Sequence, residues 1–257
     1  WSSCPGKSEG FQGAIEMCNN NGSCRKLENG VMCPSYRVTK DERDSPRGRA
    51  NTLRLALTGQ LREESLISKE MYETMKLCVS CKACKKECPT SVDISKMKIE
   101  IEKLRYERFG LSFSQKLIAY FPKYSKYLSY AYPFLKFLQK TKIFNLMNER
   151  FFDISAKRDI PLTKLNYFRD SELPNKFSDI KNNPVILFPD SFNRYHEPEN
   201  IRAAIKVLKA FGFEPFLPKI NNDNLCCGRT YLTYGLLDKT KKEYENILKT
   251  FIHYLKK

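Results

Sequence analysis

The stretch "CVSCKACKKECPT", Cys78 to Thr90, sets four cysteines within eleven residues and places Pro89 directly behind the last. This Cys-x2-Cys-x2-Cys-x3-Cys-Pro spacing constrains the chain more than any other feature. Three thiolates two residues apart can wrap a loop around three corners of a cubane, while the fourth points away and can serve a second cluster. The proline fixes the turn and withholds an amide donor. A zinc tetrahedron draws more naturally on two separated Cys-x2-Cys pairs. The run is therefore read as ligation of a [4Fe-4S] cluster.

Completing that cluster requires a second cysteine-proline, and Cys33-Pro34 supplies it at the end of "CNNNGSCRKLENGVMCPSY". The first cluster is assigned to Cys78, Cys81, Cys84 and Cys33. Upstream, Cys18 and Cys24 stand six apart, with Asn21 where a cysteine would complete the usual triplet. Cys18, Cys24 and Cys88 are then the start of a second cluster whose fourth ligand stays open between Cys4, the Asn21 oxygen and an exogenous group. The alternative is that these three are thiols around a single-cluster loop.

Eight of the ten cysteines precede residue 90. A disulfide framework suits small secreted chains, so such tight clustering points to metal ligation in a reducing, cytoplasmic compartment. With 257 residues, 41% of them apolar, the chain can bury real cores. No run reaches eighteen apolar residues, which argues against a membrane span. The formal charge of +16 would suit nucleic acid, an anionic membrane or an acidic partner. The basic residues are scattered and no base-reading motif occurs, so nucleic acid is not expected as a partner. The sequence begins at Trp1 rather than Met, and is expected to be a processed product or a segment of a longer protein.

Helical patterns frame the cysteine loops. "SPRGRANTLRLALTG" has Ser45 as N-cap, Pro46 at the first helical position, apolar Leu53, Ala56 and Leu57, and a stop at Gly59. A second helix is predicted from about Ser65 to Leu77, and a third from Asp93 to Gly110 carrying Ile94, Met97, Ile101 and Leu104. Residues 111–180 are aromatic, lysine-rich and cysteine-free, and Pro122 and Pro133 break them into short amphipathic helices. Their aromatic faces read either as a surface for a membrane or partner helix, or as packing against neighbouring domains. Beyond 180, "PVILFPD", "EPENIRAAIKVLKAFG" and "FEPFLP" read as a β-α-β unit, and "LCCGRTYLTYG" as a loop entering a further helix. Two strands do not complete a parallel sheet, so this domain is expected to be incomplete.

Four segments carry a family resemblance: "FQGAIEMCNNNGSCRK", "GVMCPSYRVTKDERDSPRGRANTLR", "MKLCVSCKACKKECPTSVDISKMKIE" and "CCGRT". They resemble the iron–sulfur C-terminal part of FAD-linked D-2-hydroxyacid dehydrogenases, a group that includes glycolate oxidase iron–sulfur subunits and fused D-lactate or D-2-hydroxyglutarate enzymes. The resemblance implies a mainly α fold. An α-helical ferredoxin-type domain over 1–110 and an amphipathic helical linker over 111–180 would precede a partial α/β cysteine-rich domain over 181–257, like that of heterodisulfide reductase. It also implies FAD on a partner or missing domain, with electrons passing from flavin through this chain to a quinone or another acceptor. In such cysteine-rich domains a lone cysteine normally precedes the Cys-Cys-Gly by about 35 residues; here "FPDSFNRY" offers Asp190 and Ser191 instead.

Smaller signals complete the reading. Arg47 and Arg49 would either set positive charge beside a cluster or be solvated arginines at a helix start. His196 beside Glu197 reads as surface or capping chemistry. No phosphate-binding glycine loop, Ser/His/Asp set or Cys/His nucleophile occurs, so bond chemistry within this chain is not expected. The reading is an electron-transfer component, cytoplasmic, with peripheral contact on the inner face of the membrane as a further expectation. The rival is a basic metal- or cluster-containing module that binds nucleic acid or senses redox state.

Overall fold

Capping side chains set the helix starts in the cysteine-rich part of the protein. The computed structural model describes residues 10–28, 30–62, 64–152, 155–157, 160–174, 183–217 and 225–255. The chain divides into two units, residues 1–110 and 111–257. In the first, the cysteine loops alternate with α1 (Gly10–Glu16), α2 (Pro34–Thr39), α3 (Pro46–Leu57), α4 (Lys69–Lys76), α5 (Ala83–Glu87) and α6 (Ile94–Phe109). The Ser45 hydroxyl accepts from Gly48 N, and Pro46 occupies the first turn, where its missing N–H is no loss. Ser68 caps α4 and Asp93 caps α6 in the same way, through Met71 N and Lys96 N.

Two features of this unit differ from the sequence pattern. The helix predicted from Ser65 starts only at Lys69, because Ser68 is extended and separates α4 from a 3-10 turn over Ser65–Ile67. Leu104, placed on the apolar stripe of α6, faces outward, since the core along that helix ends at Ile101. The core gathers Ile15, Leu53, Met71, Met75, Ile94, Met97 and Ile101, all essentially solvent-free. Cys18, Cys24, Cys33 and Cys84 belong to the same apolar cluster, and Cys78 and Cys88 pack against it. Holding the thiols in that core removes water from around them and fixes the loops that carry them. The N-terminus of α3 sits hard against the 3-10 turn Glu42–Asp44: a Cβ on Gly48 would lie 2.0 Å from the Glu42 carbonyl oxygen.

The second unit opens with four short helices, α7 (Phe113–Ala119), α8 (Phe121–Tyr130), α9 (Tyr132–Gln139) and α10 (Lys142–Phe152). Pro122 and Pro133 each fall in the first turn of a helix rather than in its middle, so they set where α8 and α9 begin. A two-stranded parallel sheet follows, pairing β1 (Pro184–Ile186) with β2 (Glu214–Phe216) in the register Pro184↔Glu214. Between the strands run α11 (Ser191–Tyr195) and α12 (Pro198–Ala210), and after them α13 (Arg229–Thr233) and α14 (Leu237–Leu255). The small buried side chains Ser125 and Ser129 lie on the inward face of α8, which packs against α11, while α7 packs against α13. The fold is mainly α, as the sequence predicts.

Candidate iron–sulfur centre

Four of the cysteines singled out in the sequence meet at one cavity. Cys33, Cys78, Cys81 and Cys84 line it together with Pro34, Ser35, Pro46, Arg49, Ser80 and Lys82. Two residues of the intervening loop, Ser80 (φ 55°) and Lys82 (φ 61°), are left-handed, which curls the backbone so that Cys78, Cys81 and Cys84 can face a common space. Cys33 arrives from 45 residues away. Its segment is tied down by Glu87 on α5, whose carboxylate accepts from Val31 N at 2.8 Å and Met32 N at 3.1 Å. These amides hold the Glu87 carboxyl below the usual carboxylate range. Arg37 closes the same loop by donating to the carbonyls of Leu27, Gly30 and Met32.

Arg49, fully buried in the wall of the cavity, spends its whole guanidinium fork inside the protein. Nε donates to Thr74 O at 2.9 Å, Nη1 to Cys33 Sγ at 3.7 Å and Nη2 to Ser35 Oγ at 3.1 Å. Its carboxylate partner Asp44 is equally buried but 3.7 Å away, with Oδ1 outside hydrogen-bonding range of any donor. A buried cation so loosely neutralised suits a neighbouring thiolate and an anionic group in the cavity. The Cys84 thiol, by contrast, is pushed up to about 11 by burial, so it needs a metal to displace its proton. Lys98 on α6 donates to Cys78 O at 2.8 Å, and burial drives its ammonium below the usual lysine range.

Among the described residues, no three His, Cys, Asp or Glu side chains converge as a single ion would require. A [4Fe-4S] cluster makes a different demand, one thiolate on each of four irons. The four thiols ringing the cavity beside a buried arginine fit that demand. Cys33, Cys78, Cys81 and Cys84 are the residues that would hold the cluster.

The other three sequence candidates are placed separately. Cys18 and Cys24 lie close enough to interact, and Arg47 carries positive charge beside both. Burial raises the Cys24 thiol, against hydrogen bonds from the Arg47 backbone amide and the Ser45 hydroxyl. One face of α3 pins their loop: Arg47 Nη1 reaches Asn20 O, Asn51 Nδ2 donates to Asn20 Oδ1, and Arg54 Nη2 donates to Cys18 O. Cys88 stands outside the cavity. Burial would raise its thiol, but hydrogen bonds from the Thr90 hydroxyl and the amides of Val92, Thr90 and Ser91 outweigh it and lower it overall. Asn21 is exposed and its amide oxygen accepts from Ser23 N at 2.9 Å, so the side chain shapes the turn. Cys4 lies outside the described residues.

Of the two readings left open for the arginines, the structure decides for charge beside the thiols: Arg49 is buried against Cys33, and Arg47 pairs with Glu42 at 2.7 Å beside Cys24. Sequence reasoning missed Asn51 and Arg54, although their spacing from Arg47, i+4 and i+7, places all three on one helix face. Glu87 and Lys98 carried no comparable signal.

In the second unit, Cys226 and Cys227 hydrogen-bond to each other, with the Asp190 carboxylate near Cys227, while the buried Ser191 Oγ makes no hydrogen bond. The bond from Cys226, helped by the Arg229 amide, lowers Cys227 to about 6, while Cys226 is raised by the same bond and by burial. Asp190 and Ser191 thus sit where the sequence comparison puts them relative to the Cys-Cys-Gly, Asp190 also capping α11. His196 is half-buried, with Nδ1 3.1 Å from Leu162 O and its ring tilted against Phe121.

Residues 14–92 match the family model described as a 4Fe-4S dicluster domain. The chain is also similar to curated proteins named D-2-hydroxyglutarate dehydrogenase. The Haemophilus influenzae protein is 24% identical over 92% of this chain and 27% of its own length. The Escherichia coli protein is 22% identical over 80% of this chain and 25% of its length, and the Pseudomonas putida protein 24% over 80% and 25%. The chain thus spans about a quarter of the length of the relatives it matches. No solved structure matches it. The cysteine-rich first unit thus matches, over residues 14–92, the 4Fe-4S dicluster domain, in a chain similar to curated D-2-hydroxyglutarate dehydrogenases.

Proposed function

We propose that this chain is the electron-transfer component of an FAD-dependent D-2-hydroxyacid dehydrogenase. Its electrons would come from a flavin on another domain or subunit and leave to a quinone or other acceptor. The observation that carries the reading is the convergence of Cys33, Cys78, Cys81 and Cys84 with buried Arg49 on one cavity inside the dicluster domain. When bound there, a [4Fe-4S] cluster supplies one-electron uptake and release. The chain's own residues do the rest: four thiols hold it, the apolar core shields its Cys33 and Cys84 side while Cys81 is exposed, and Arg49 favours its more anionic, reduced form. Cys18, Cys24 and Cys88 are proposed as ligands of a second cluster, with Asn51, Arg54 and Arg47 holding that loop. D-2-Hydroxyglutarate is the proposed substrate of the whole protein, with D-lactate and glycolate as alternatives, and a cytoplasmic, membrane-peripheral position is proposed for it.

The test uses the full-length enzyme under anaerobic conditions with electron paramagnetic resonance. Adding D-2-hydroxyglutarate should produce the signal of reduced clusters, and the Cys78→Ser variant should lose the first cluster's share of that signal while its flavin still bleaches. A flavin that bleaches with no cluster signal in the parent enzyme would refute the relay.

A further inference from the structure

The helices α8 to α10 turn many of their large apolar side chains outward. On α10, Ile143, Leu146, Met147 and Phe151 fall at i, i+3, i+4 and i+8, and all are at least half exposed, whereas the buried one among its described side chains is Asn148. Helix α9 has no fully buried side chain, Leu135 and Leu138 being half-buried, and Phe134 and Phe137 on it are 64% and 67% exposed. In α8 the buried positions are Pro122, Ser125 and Ser129, with Tyr127 and Tyr130 outside. A soluble surface helix is patterned the opposite way, and exposed apolar patches of this kind mark interaction sites.

Charge narrows the choice of partner. From Leu111 to Arg150 the sequence has six lysines and one arginine against one glutamate. Lysine is depleted at protein–protein interfaces, where arginine is preferred. At a bilayer surface, in contrast, lysine stems lie along apolar groups while the ammonium reaches lipid phosphates. Among the described residues no helix is long and apolar enough to cross a membrane, so these helices can only lie along one. We infer that α9 and α10 form a docking surface for an anionic lipid bilayer, with Phe134, Phe137, Leu146 and Phe151 entering the acyl boundary and Lys136, Lys140 and Lys142 meeting headgroup phosphates. This gives the electron-transfer reading a lipid surface from which a quinone could be reached, and it rests on that reading only for its purpose. Vesicle binding can be scored whether or not any cluster is reduced.

The test is flotation of the full chain with vesicles of phosphatidylcholine alone and of phosphatidylcholine mixed with phosphatidylglycerol. The chain should float with the anionic vesicles and remain behind with the neutral ones. Binding should weaken as salt rises from about 0.05 to 0.5 M. The pair Phe134→Ser and Phe137→Ser should lower partitioning by about tenfold or more, and each of Lys136→Gln, Lys140→Gln and Lys142→Gln by roughly fivefold. Because all these side chains point outward, far-UV circular dichroism should be unchanged in every variant. Three results would overturn the inference: no flotation with anionic vesicles at low salt, flotation indifferent to the phenylalanine pair, or protection of the Phe134, Phe137 and Phe151 side chains from hydroxyl-radical labelling in the lipid-free full-length enzyme. The last would assign the face to the remainder of the protein instead.

Discussion

Arg49 links the buried electrostatics of the first unit to its cysteine chemistry. A guanidinium without solvent exposure, sharing its donors between Thr74 O, Cys33 Sγ and Ser35 Oγ, holds the Cys33 loop against α4. Removing it leaves Asp44 as an uncompensated buried carboxylate. Arg49→Leu should therefore cost roughly 3–5 kcal/mol of stability in urea unfolding and lower the iron bound per chain. Arg49→Lys keeps the charge but loses the fork, and should fall between the two. At the other end of the chain, Cys227 is set apart from its neighbour by the hydrogen bond between them, which lowers one thiol and raises the other. The thiolate is the nucleophile, so Cys227 alkylation by iodoacetamide should be fast above about pH 6 and fall as the thiolate is protonated below it. Cys226, raised by the same contact, should stay unlabelled at neutral pH. Peptide mass spectrometry across a pH series separates the two. A common midpoint near the ordinary cysteine value of about 8.5 would contradict the assignment.

Helix α3 does two jobs at once. Arg47, Asn51 and Arg54 hold the loop carrying Cys18 and Cys24, while Arg49 and Leu53 point into the cavity wall and core. Both depend on the N-terminus of α3 lying against the Glu42–Asp44 turn, and that approach requires Gly48. Alanine usually stabilises a helix interior relative to glycine by about 0.5–1 kcal/mol, but here a Cβ would sit 2.0 Å from the Glu42 carbonyl. Gly48→Ala should destabilise the domain by about 1–3 kcal/mol in thermal or urea unfolding. The start of α3 was legible in the sequence because Ser45 and Pro46 act locally. The break at Ser68 is equally local, Ser68 capping α4 through Met71 N, and went unread beside the apolar pattern that runs through it; the outward turn of Leu104 was not legible, since it depends on where the core ends rather than on local spacing. The grip of Glu87 on Val31 and Met32 spans more than fifty residues, and no periodicity reports such a contact.

At the scale of the whole molecule, the cysteine spacing carried most of what could be read. It placed Cys78, Cys81 and Cys84 on one loop and pointed to Cys33 as the residue to join them, and the structure sets these four around one cavity. What it could not convey was the set of groups that make the cavity suit an anion: Arg49 reads as an ordinary helix-start arginine until its burial is seen. The aromatic, lysine-rich helices were ambiguous for the same reason, because a stripe of phenylalanines has the same period whether it faces in or out. Only the burial of Asn148, Ser125 and Ser129 in place of the apolar side chains shows the direction.

The central claim is that the first unit holds iron–sulfur clusters through these thiols. Iron, acid-labile sulfide and zinc per anaerobically purified chain test it most directly, read beside the visible spectrum and the dithionite-reduced electron paramagnetic resonance. The account predicts about eight irons with matching sulfide, for two clusters of four, and loss of about four on Cys81→Ser or Cys84→Ser. Zinc bound without sulfide would contradict it.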